Sequence, residues 1–179
     1  DAGGPLLQQA LKELRPSPIQ RVAIAFSKCK AFPEEVATAV ADSLPASLTD
    51  LDFIYYDDPN SLCADAFVKG LAGRLFGPEN QAPKALKYLA LKTNGFKDSA
   101  YDLSVALNQG LMPELKSIDF GCPALMSTES ASQLTFCAYN GAAPKGLSFF
   151  GSRCASHIVL RRQRLTSTDL ILILASAVS

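Results

Sequence analysis

Residues 86–107 read LKYLALKTNGFKDSAYDLSVAL, and the two halves of this stretch follow different periods. Leu86, Leu89, Leu91, Asn94 and Phe96 fit the pattern Leu-x-x-Leu-x-Leu-x-x-Asn-x-Phe, a short strand that ends in an asparagine corner. Ala100, Leu103, Ala106 and Leu107 then share one helical stripe. A strand with a stripe of apolar residues cannot bury itself alone, and neither can one amphipathic helix. The pattern makes sense only if the unit stacks on copies of itself.

Copies are present. The strand pair Leu89/Leu91 recurs as Ile24/Phe26, Leu51/Phe53, Ile118/Phe120 and Leu147/Phe149, with successive starts 27, 38, 29 and 29 residues apart. The helical half recurs in residues 32–44 (FPEEVATAVADSL) and 60–75 (NSLCADAFVKGLAGRL), where Val36, Val40, Leu44 and Cys63, Phe67, Leu71, Leu75 repeat at spacing four. On these residues the chain resembles a leucine-rich-repeat protein of the ribonuclease-inhibitor type, whose unit is about 28 residues with a full helix opposite each strand. The resemblance covers residues 6–154. It implies an α/β solenoid, a horseshoe of about five repeats with a parallel β-sheet on its concave side and helices on its convex side. Tyr56, Pro123 and Ser152 stand where the family carries asparagine.

Outward from the central unit, residues 5–14 (PLLQQALKEL) predict an amphipathic helix that Pro16 and Pro18 terminate. The first strand, in IQRVAIAFSKC (19–29), has two frames two residues apart. The one using Ile24 and Phe26 is preferred because it puts Cys29 at the asparagine position and also gives the better spacing to the next strand. Pro33 opens the next helix with Glu34 and Glu35 in its first turn. The segment from Phe76 to Ala85 lengthens its unit by about nine residues and reads as a surface loop, a candidate contact element beside the sheet. A weaker helix is expected over 127–139. Residues 1–156 form the repeat domain in this reading, and 157–179 an extension or partial last repeat. The apolar run LILIL at 170–174 is the opposite of a polar capping unit, so either the chain is a fragment of a longer array, the preferred reading, or this edge pairs with a partner chain or folds back.

Composition narrows the functional classes. Seventeen acidic and 17 basic residues balance, so no net field recruits nucleic acid or a membrane surface. No apolar run approaches the 18 or more residues of a spanning helix. Five irregularly spaced cysteines, Cys29, Cys63, Cys122, Cys137 and Cys154, suit buried thiols in a reducing compartment, and a cytoplasmic location is expected. His157 is the sole histidine and no C-x-x-C pair occurs, so no metal site is expected. Neither a phosphate-binding glycine loop nor a G-x-S-x-G elbow is present, and no cofactor is expected. Arg161, Arg162 and Arg164 read as a solvated face.

The positions between the strand leucines are those the family turns toward the concavity. Here they include Asp50, Asp52, Ile54 and Tyr55, then Lys87, Tyr88, Ala90 and Lys92, then Lys116, Ser117 and Asp119, then Lys145, Ser148 and Phe150. Tyrosines among charges of both signs suit a protein partner. The expected function is therefore a non-enzymatic protein–protein interaction module, with Asp50, Asp52, Tyr55, Lys87, Tyr88, Lys92, Lys116, Asp119 and Phe150 as contact residues. An alternative is a regulator of a small GTPase, with Arg74 or Arg153 at a rim. An ordinary α/β enzyme would need a glycine-rich turn after the first strand. Residues 27–35 (SKCKAFPEE) contain no glycine.

Overall fold

Apolar residues at every second position form strands in the computed structural model, which describes residues 9–10, 12–13, 15–26, 33–55, 62–78, 82–93, 99–121, 129, 132–133, 136–137 and 146–148. The strands are β1 (Arg21–Phe26), β2 (Asp50–Tyr55), β3 (Tyr88–Thr93), β4 (Ser117–Gly121) and β5 (Gly146–Ser148). They make one sheet in sequential order, with every neighbouring pair parallel. Three helices connect the first four strands: α1 (Glu34–Asp42), α2 (Cys63–Leu75) and α3 (Ser99–Asn108). Parallel pairing requires such crossovers, because a tight hairpin reverses the chain.

The pairing register corrects the frame of the first strand. Val22 is opposite Leu51 and Ile24 opposite Phe53, so the core pair of β1 is Val22/Ile24, two residues earlier than Ile24/Phe26. Equivalent positions are then Val22, Leu51, Leu89, Ile118 and Leu147, in steps of 29, 38, 29 and 29 residues. Backbone hydrogen bonds repeat with the same step. The carbonyl of Gln20 accepts from the amides of Thr49 and Asp50, that of Thr49 from Lys87 and Tyr88, and that of Lys87 from Lys116 and Ser117. A turn precedes β2, β3 and β4, closed by Leu48 N–H to Pro45 O, Leu86 N–H to Pro83 O and Leu115 N–H to Met112 O, each 3.2 Å.

One face of the sheet carries the core. Leu51, Phe53, Leu89, Leu91, Ile118 and Phe120 are buried there against Phe67, Leu71 and Leu103 of the helices. The rings of Phe53 and Phe67 stack with centroids 4.0 Å apart and planes 10° from parallel, tying β2 to α2. Tyr55 belongs to this face as well. It is 2% exposed, in line with Leu51 and Phe53, so it is not an outward contact residue. Strand alternation simply runs one step further than the leucine pattern suggests.

The extra residues between β2 and β3 are not all loop. α2 has 13 residues where α1 has 9 and α3 has 10, so about one additional helical turn absorbs part of the insertion. That turn holds Arg74, whose side chain is buried and whose Nη1 donates to the carbonyls of Ala41 (3.1 Å) and Leu44 (2.5 Å). A cation there satisfies carbonyls at the C-terminal end of α1 and opposes the negative end of its dipole. Gly70 allows α1 and α2 to approach, since a Cβ there would lie 2.9 Å from that of Ala41. α3 ends at Gly110, with φ +68°, where Gly110 N–H bonds Leu107 O and Leu111 N–H bonds Ala106 O. This paired closure needs the left-handed conformation that glycine adopts freely.

Candidate binding face

Among the described residues the helices lie on one side of the sheet, and the opposite side is formed by alternate residues of β1 to β4. Asp50, Asp52 and Ile54 of β2 are half-buried, as are Ala90 and Lys92 of β3, whereas Tyr88 is 47% exposed. Pairing lines these residues up in rows across the sheet. Arg21, Asp50, Tyr88 and Ser117 form one row, and Ala23, Asp52, Ala90, Asp119 and Ser148 the next. Small residues at Ala23 and Ala90 alternate with carboxylates. The result is a shallow depression of about 410 Å³, lined by Arg21, Asp50, Asp52, Tyr88, Lys92 and Asp119 among others.

Two ion pairs cross between strands: Arg21 Nε to Asp50 Oδ2 and Lys92 Nζ to Asp52 Oδ2, both 3.5 Å. Partly exposed pairs of this length contribute little to stability. Thr49 Oγ1 donates to Asp50 Oδ2 at 2.6 Å and fixes that carboxylate at the head of β2. Past Ala90 the β3–β4 ladder slips by one residue, so Thr93 pairs with Gly121. Irregularities of this kind re-aim side chains locally.

Of the nine predicted contact residues, the structure brings Asp50, Asp52, Tyr88, Lys92 and Asp119 into this one depression. Lys87 and Lys116 flank it at the strand starts, half-buried and exposed respectively. Tyr55 lies in the core, and Phe150 falls outside the described residues. Arg21 was not foreseen. It follows from the corrected β1 frame, which sets it directly opposite Asp50.

The buried titratable groups have structural work elsewhere. Arg74 is not a rim arginine, because its guanidinium is enclosed between α1 and α2, where burial lowers its pKa to about 10. Arg153 lies outside the described residues. Asp65, in the first turn of α2, accepts a 2.9 Å hydrogen bond from the first amide of α3, Ser99 N–H, and pairs with Lys69 at 3.2 Å. Burial pushes its carboxyl up, but the Ser99 and Lys69 interactions outweigh this and hold it below the ordinary 3.8. Asp65 thus caps the neighbouring helix. Its contribution is full above the ordinary carboxylate value and is lost as pH falls through its lower folded value. Asp65→Asn keeps an acceptor but removes the charge that Ser99 N–H and Lys69 favour, and is expected to cost about 1 kcal/mol at neutral pH. In urea unfolding the gap between the two proteins should close progressively below about pH 4.

Cys63 and Cys137 are buried cysteines, in line with the expected packing role. Cys137 donates to Ser104 O at 3.2 Å, and burial raises its pKa to about 11. Cys29, Cys122, Cys154 and His157 lie outside the described residues. Among the described residues no group of three His, Cys, Asp or Glu is placed to hold a metal ion. No helix of the described residues is long and apolar enough to cross a membrane. Comparison with known proteins gives no matching family model, no curated relative and no solved structure.

Proposed function

We propose that the chain is a leucine-rich-repeat-like solenoid of about five units that works by binding a protein partner through the open face of its sheet, without catalysing a reaction. One observation carries this reading: among the described residues the helices cover a single face, and the other presents Tyr88 between charges of both signs over small residues. An exposed aromatic ring supplies contact area at low entropic cost, and surrounding charges orient a partner. The constant 29-residue step, broken once, supports the stacking of like units. A reducing, cytoplasmic setting fits the buried thiols. The GTPase-regulator alternative loses one of its two arginines, since Arg74 is bound up between helices.

The test is capture of a partner from lysate by wild type and by Tyr88→Ala/Ala90→Trp, which removes the ring and fills the depression. Tyr101→Ala, at an exposed position on α3, serves as the control. The double change should abolish capture with far-UV circular dichroism intact, and Tyr101→Ala should leave it unaltered. Capture that survives the double change and fails with Tyr101→Ala would move the binding surface to the helices.

A further inference from the structure

We infer that the open face receives a guanidinium, an arginine side chain on the surface of its protein partner, on the Ala90 floor between the carboxylates of Asp52 and Asp119. This deepens the docking reading above and rests on it. Asp52, Ala90 and Asp119 are in register on β2, β3 and β4, so the two carboxyl-bearing residues stand about 10 Å apart across a methyl group. All three project from the same side of the sheet. That gap is wide enough for a planar guanidinium to donate toward a carboxylate on each side.

Asp52 has unused acceptor capacity. Its Oδ2 meets Lys92 at 3.5 Å, longer than the roughly 2.7–2.9 Å of a strong charge-assisted bond. Its Oδ1 is shielded from solvent and accepts no hydrogen bond among the described residues. A shielded acceptor of this kind gains from an incoming donor. Tyr88, two residues from Ala90 on the same side of β3, exposes a ring at which a cation is favoured. Arginine suits the place better than lysine, because its forked donors reach two carboxylates where an ammonium is a point charge.

Other charges act on the site. Arg21 is held by Asp50 one row away, and Lys92 is on the same face as Tyr88, two residues beyond Ala90 along β3. Lys92 is the group a ligand must displace from Asp52. Its removal should therefore strengthen binding, the reverse of what a contact residue would show.

The probe is N-acetyl-arginine amide, titrated into the full chain and followed by backbone amide NMR, with N-acetyl-lysine amide in parallel. Saturable shifts should centre on Asp52, Ala90 and Asp119, at least about fivefold tighter for arginine than for lysine. Asp52→Asn and Asp119→Asn should each weaken binding about tenfold, and Lys92→Ala should tighten it. Shifts scattered over the surface, equal response to both amides, or weakening by Lys92→Ala would each overturn the assignment. If the amide fails while Tyr88→Ala/Ala90→Trp still abolishes partner capture, the guanidinium site falls and the docking face stands. If the amide binds while capture ignores the double change, the docking reading falls instead.

Discussion

Phe53→Ala is expected to lower the unfolding free energy by about 3–5 kcal/mol, a large share of the roughly 5–15 kcal/mol of an ordinary domain. Phe53 has no exposed surface and sits at the centre of β2, between Leu51 and Tyr55 on the covered face. Its ring stacks on Phe67 at 4.0 Å, so truncation removes contacts on both layers and leaves a void that neither layer can close. The midpoint of urea unfolding, followed by circular dichroism, should fall sharply with little change in slope. Tyr88→Ala, on the opposite face, should stay within about 0.5 kcal/mol of wild type. Comparable losses at the two positions would mean that both faces are packed.

Arg74→Ala is expected to cost about 2–4 kcal/mol, through a different cause. Its guanidinium supplies donors to Ala41 O and Leu44 O at the end of α1. With a pKa near 10 it is charged at neutral pH despite burial. Alanine removes the charge-assisted donors and leaves those carbonyls shielded without them. Arg74→Lys should recover only part of the loss, since its shorter side chain ends in a more strongly hydrated ammonium that costs more to bury at the place Nη1 holds. Thermal unfolding of the three proteins measures this directly. A loss below about 0.5 kcal/mol for alanine would mean that water reaches the α1 terminus.

Much of this architecture was legible because strand and helix periods differ. The switch from spacing two to spacing four at residues 86–107 places β3 and α3 where they are found, and the same switch places β2 with α2. The first strand was misframed for a physical reason. Val22, Ile24 and Phe26 alternate, so two frames satisfy the pattern equally and only pairing with β2 separates them. A cysteine at the asparagine position and the spacing to the next strand both favour the other frame, but the register gives a 29-residue step from Val22 to Leu51 and brings Arg21 opposite Asp50. Tyr55 was assigned outward because the leucine pattern stops before it, while the alternation of the pleat does not.

The last turn of α2 was legible, because the spacing-four stripe through Leu71 and Leu75 predicts a helix up to Leu75, where α2 ends, and the glycine and proline that follow mark its stop. What that turn is for was not readable, because an arginine that closes a neighbouring helix looks in sequence like any surface arginine. Asp65 is the same case: its partner, the amide of Ser99, is 34 residues away. The open face was legible as a set of alternate positions. Its small floor and the pairing of its charges needed the register.

Thiol accessibility along β3 tests most directly whether one side of the sheet is free. Single cysteines are placed at Tyr88, Leu89, Ala90, Leu91, Lys92 and Thr93, in a chain whose Cys29, Cys122 and Cys154 are serine, and native protein is reacted with a maleimide. Native protein should label at 88, 90 and 92, fastest at the exposed position 88, with 89, 91 and 93 reacting only on unfolding. Protection of Ala90→Cys and Lys92→Cys equal to that of Leu91→Cys would contradict it, because a second layer would then lie over the proposed docking face.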